Sequence, residues 1–77
     1  MNILFPTNVY EKITELGYHP VTCVRLHHLW SIIAIKDDQR FNIQLNKQTL
    51  KLDSINLLRY RFNSTGTMVL DVQRIKK

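Results

Sequence analysis

Cysteine is almost missing: Cys23 is the only one in 77 residues. A single thiol excludes an intrachain disulfide framework and any Cys-x-x-Cys metal or redox site, and it predicts a reducing, cytoplasmic setting. Glycine is nearly as scarce, limited to Gly17 and Gly66, so there is no glycine-rich loop to cradle phosphates and no dinucleotide fingerprint. No apolar run reaches the roughly 18 residues that a membrane span needs, and no membrane partner is expected. The opening Met-Asn-Ile-Leu-Phe-Pro lacks the basic and long apolar regions of a signal peptide. Carboxylates suited to acid–base work are missing too. Asp37-Asp38 reads as an acidic turn, and Glu11 and Glu15 stand four apart on a helix surface. These absences predict no metal, no cofactor and no enzymatic activity.

What is present is ordinary for a globular chain, 44% hydrophobic and 22% charged, so residues 1–77 are read as one small basic domain. A chain this short buries only roughly 60 to 65% of the surface it exposes unfolded, which leaves no room for a deep enclosed pocket. The net charge of +5 is unevenly spread. Residues 1–38 hold three cations against four carboxylates, a net of −1, while residues 39–77 hold eight against two, a net of +6. Clustered cations favour phosphate backbones and acidic protein surfaces. They also simply keep a small protein dissolved.

Hydrophobic periodicity predicts one helix and about five antiparallel strands. Residues 6–17 form the helix: Asn8 and Glu11 have capping-box spacing, Val9, Ile13 and Leu16 share a face, and Gly17 ends it. After a turn at Tyr18-His19-Pro20, strands are expected at Val21–Leu26, Trp30–Ile35 and Arg40–Leu45, with a short one at Gln48–Leu52. Ser54–Phe62 fits either a helix capped by Ser54 or a strand. The turn chemistry of Asn63–Gly66 and the alternation of Met68, Leu70 and Val72 favour the strand. Arg74–Lys77 is expected to fray. The fold class is therefore α+β, a short N-terminal helix followed by a curled, barrel-like antiparallel sheet, curling being one way to remove unpaired edges.

His19, Cys23 and His27 recur every four residues, but in a strand that spacing separates neighbours by about 13 Å, too far for one metal ion. Cys23 is expected as a small buried hydrophobe. A short helix ending in Gly17-Tyr18, with His27-His28 ten residues on at a strand end, resembles the start of HicA toxins, small basic ribonucleases with a double-stranded-RNA-binding-like fold. The resemblance covers residues 9–30. It implies His27 or His28 as the general base that activates a ribose 2′-hydroxyl. The family's Gly-Ser pair before the histidines is Arg25-Leu26 here, and its closing helix would fall on Ser54–Phe62.

Arg59-Tyr60-Arg61-Phe62 interleaves cations with aromatics. In a strand the two kinds point to opposite faces, which predicts Tyr60 and Phe62 in the core. Arg59 and Arg61 are then a solvated face, or they join Arg40 in a stripe for phosphate or carboxylate with Lys47 and Lys51 at its rim. Three readings follow. The first is a non-enzymatic binding module whose basic sheet face engages nucleic acid or another polyanion. The second is a small inhibitor or adaptor of the kind phages and mobile elements encode, docking on an acidic or nucleic-acid-binding surface of a host protein through Trp30, Ile33 or Ile35. The third is the ribonuclease. A homodimer is a further expectation, because the doubly apolar Trp30–Ile35 run needs cover.

Overall fold

The computed structural model describes residues 5–76, with one helix, α1 (Thr7–Glu15), followed by five strands: β1 (His19–Arg25), β2 (Leu29–Lys36), β3 (Gln39–Asn46), β4 (Leu52–Phe62) and β5 (Met68–Lys76). The strands form one antiparallel sheet in sequence order, β1-β2-β3-β4-β5. The expected barrel does not form. β1 and β5 are the two edges of an open sheet among the described residues. Each strand pairs with the next through a short connection, and no ladder links the last strand to the first.

Local chemistry explains the ends of each element. Pro6, not Asn8, occupies the N-cap; the Asn8 Oδ1 instead accepts from the adjacent Val9 N–H at 2.9 Å. At the C-terminus, Gly17 adopts φ +94°, its N–H donates to the Thr14 carbonyl at 2.9 Å, and the Tyr18 N–H donates to the Ile13 carbonyl at 3.1 Å. That pair of bonds is the Schellman arrangement a left-handed glycine permits. Asp37 and Asp38, both with positive φ, make the two-residue turn between β2 and β3. The Asn63 Oδ1 accepts from the Thr65 and Thr67 N–H groups at 3.0 and 2.9 Å, closing the turn between β4 and β5.

Three boundaries differ from expectation. Pro20 lies inside β1 and is buried, with a bulge between Pro20 and Thr22 absorbing the irregularity. The short strand expected at Gln48–Leu52 is a turn up to Lys51: Asn46 Oδ1 accepts from the Gln48 and Thr49 N–H groups, and Leu50 has φ +61°. Local side-chain-to-backbone bonds outcompete a ladder there. β5 continues to Lys76 instead of fraying at Arg74.

Directly opposed residues of neighbouring strands project from the same face, so the register sorts the whole sheet. On one face, Cys23, Ile32, Ile43 and Ile55 line up across β1 to β4, flanked by Ala34, Phe41 and Leu57 and by Leu45. Helix α1 covers this row with Val9 and Ile13, and all of these except the half-buried Cys23 are buried. At about 25 cal/mol per Å² this is the main favourable contribution to the fold. The other face of the sheet has no covering layer among the described residues.

Candidate partner-binding face

The uncovered face is polar in the middle. Asn42 Nδ2 donates to the Ser31 Oγ at 2.8 Å, the Ser54 hydroxyl donates to the Gln44 Oε1 at 3.0 Å, and Asn56 Nδ2 donates to the Ser54 Oγ at 3.4 Å. These side chains satisfy one another on a half-buried surface, as polar groups out of bulk water must. Toward one end the character changes. β3 pairs with β4 only as far as Arg40 opposite Leu58, whereas β4 and β5 continue pairing to Phe62 opposite Met68. Residues 59–62 and 68–71 therefore run on as a two-stranded ribbon with no third strand beside it among the described residues.

On the uncovered face stand three successive cross-strand pairs, Leu58 with Val72 where the ribbon leaves the sheet, then Tyr60 with Leu70 and Phe62 with Met68 on the ribbon itself. Phe62 is 69% exposed and Tyr60 54% exposed, which corrects their expected place in the core. The residues do alternate as expected, but the face to which Tyr60 and Phe62 point has nothing packed on it. Leu70, Met68 and Val72 are exposed as well. Soluble monomers rarely leave such a contiguous apolar strip bare unless it meets a partner.

The cationic stripe expected from Arg40, Arg59 and Arg61 is split by the register. Arg40 lies opposite Leu58 on the uncovered face, and Arg59 and Arg61 point to the helix side, opposite Asp71 and Val69. Arg61 is further engaged, its Nε donating to the Asp71 carboxylate at 2.6 Å in an exposed ion pair. The cation that does share a face with Arg40 is Arg74, opposite Asn56. No carboxylate accompanies them. Of the six in the chain, Glu11 and Glu15 are on or beside α1, Asp37 and Asp38 are in a turn, Asp53 is at the far end of β4, and Asp71 faces the helix side.

The remaining predicted residues disperse. Trp30 lies on the helix face, packed against the core, with the Lys47 Nζ 6.0 Å from its ring centroid. Lys47 also donates to the Leu26 carbonyl at 3.0 Å, so it braces the turn after β1, and Lys51 is exposed beside β4's start. Ile33 and Ile35 do belong to the uncovered face, beside Thr22 and Arg40. His27 and His28 sit in the turn between β1 and β2, edge to face with centroids 4.2 Å apart, and line a shallow depression of about 170 Å³ with Asn46, Lys47 and Gln48. Ser54–Phe62 is strand, so the closing helix implied by the HicA resemblance is not there.

No known family, characterised protein or solved structure matches this sequence. Sequence reading missed Met68, Leu70 and Val72, with the half-buried Leu58 beside them, as residues of an uncovered face because alternation marks a face without saying which side is covered, and it placed Arg74 in a frayed end, not in a strand. One signal was available: Leu58, Tyr60 and Phe62 before the Asn63–Thr67 turn and Met68, Leu70 and Val72 after it form two apolar rows of a single hairpin.

Proposed function

We propose that this chain is a non-enzymatic binding module that docks on another protein through the uncovered face of its β4–β5 ribbon. The observation behind this is the row of three apolar pairs, exposed at every position except the half-buried Leu58, with Arg40 and Arg74 at its inner boundary. An apolar centre with arginine at the rim is the composition of a protein interface. A small adaptor or inhibitor works in this way, with no chemistry beyond complementarity of shape and charge. Its partner surface is acidic around an apolar centre, since the face offers cations and no carboxylate.

A second reading rests on the same strip. Exposed Tyr60 and Phe62, on the same face as Arg40 and Arg74, also have the ingredients of a base-stacking platform for single-stranded nucleic acid. The four aliphatic side chains between and beside the aromatics favour protein over bases. Photo-crosslinking in the cells that make the protein separates the two. A photoreactive residue at position 60 is expected to join to a polypeptide, and the same residue at position 59, on the opposite face, to give no adduct. Adducts to nucleic acid from position 60, lost in high salt, would replace the first reading with the second.

A further inference from the structure

The two sheet edges are unequal. β1 carries Pro20, which lacks an N–H, and a bulge next to it, and it follows α1 directly through the Gly17 turn. Prolines and bulges are how natural sheets keep an edge from recruiting another strand. β5 has no such protection over most of its length. From Met68 to Arg74 it pairs with β4 in unbroken register, and the one irregularity, between Ile55 and Asn56, falls beyond Arg74. It contains neither proline nor glycine. Among the described residues no strand lies beyond it, so its outward N–H and C=O groups have no ladder partner.

This edge borders the apolar strip. A strand laid along β5 continues both faces of the sheet, and its side chains fall opposite those of β5. On the uncovered face they meet Met68, Leu70 and Val72, then Arg74. On the other face they meet Val69, Asp71 already paired with Arg61, and Gln73.

We infer that β5 is a strand-acceptor edge, and that the partner's contact is an extended segment carrying apolar residues at alternate positions and a carboxylate opposite Arg74. The inference rests on the docking reading above and specifies its mode. An antiparallel segment has its acid at the N-terminal end, followed by three apolar residues spaced two apart. A second copy of this chain is the wrong occupant by charge. Its own uncovered face offers Arg40 and Arg74 and no carboxylate, and each copy carries a net +5.

The test uses the ¹⁵N-labelled full chain and a capped peptide, Glu-Thr-Val-Thr-Leu-Thr-Val, that follows the pattern. Saturable amide shifts concentrated on Met68–Arg74, with β1 unmoved, are the expected result. N-methylating alternate residues along one edge of the peptide is expected to weaken binding about tenfold for each hydrogen bond removed. N-methylating the opposite edge leaves it unchanged. Replacing the peptide's Glu by Lys also weakens binding, as does Leu70→Ser in the protein. No binding, or binding indifferent to N-methylation on either edge, overturns strand addition. If Leu70→Ser still abolishes an N-methyl-insensitive interaction, docking on the face survives and only its mode falls. If oligothymidylate shifts Tyr60 and Phe62 while the peptide does nothing, both fall. Concentration-dependent dimerisation through β5, seen by sedimentation of the chain alone, overturns the choice of occupant.

Discussion

Ile43 and Phe62 mark two kinds of apolar residue that a hydropathy pattern treats alike. Ile43 is fully buried between β2, β4 and α1, and Ile43→Ala is expected to lower unfolding free energy by about 2 to 5 kcal/mol, the transfer and cavity cost of a core aliphatic. Phe62→Ala, on the bare ribbon, is expected to change it by less than about 0.5 kcal/mol. Urea midpoints of the two variants check the contrast, and equal losses would mean that Phe62 is packed after all. Cys23 is half-buried beside that core, and desolvation by burial pushes its thiol pKa up. A thiol held above its unfolded pKa favours the folded state while protonated. That contribution is complete below the ordinary thiol pKa and is lost as pH rises through the raised one. Accordingly, alkylation of the native protein at mildly alkaline pH is expected to run slower than that of the urea-unfolded chain, as mass spectrometry would show.

At the scale of elements, the ribbon is the outlier. β2, β3 and the inner part of β4 each have a neighbour on both sides and α1 or its packing partners on one face. Residues 59–62 and 68–71 have one neighbour and no covered face, and a two-stranded ribbon in water is marginal by itself. Hydrogen exchange is therefore expected to be faster by orders of magnitude for ribbon amides than for β3 amides, with a bound partner closing the gap. Uniform protection along all of β4 would contradict this. The elements themselves were largely legible in sequence. Gly17, the Asp37-Asp38 pair and Asn63 act within a few residues through conformational preference and local hydrogen bonds, so their turns are readable from composition. The Gln48–Leu52 strand does not form because the side-chain carbonyl of one residue, Asn46, captures two backbone N–H groups that alternation assigns to a ladder.

For the whole molecule, charge and apolar surface combine on one side. The helix-covered face holds the core and the Arg61–Asp71 pair, and the uncovered face holds the apolar strip, Arg40 and Arg74. Leu70→Lys with Val72→Lys is expected to reduce binding of a hydrophobic dye several-fold while leaving the unfolding free energy from urea titration within about 0.5 kcal/mol, because exposed positions contribute little to the fold. Unchanged dye binding would place the accessible apolar surface elsewhere. No helix among the described residues is long and apolar enough to cross a membrane, so the strip is not part of a helical span.

The amino-acid sequence by itself determined the helix, five strands and most of the turns, since each depends on periodicity and on side chains acting over a few residues. Only the tertiary structure decided which face of β4 and β5 is covered, that Arg40 parts from Arg59 and Arg61, and that the sheet stays open. Those outcomes depend on inter-strand register and on where a nine-residue helix can reach. A shift of one residue in register exchanges every inward and outward side chain, and nothing within a single strand records it.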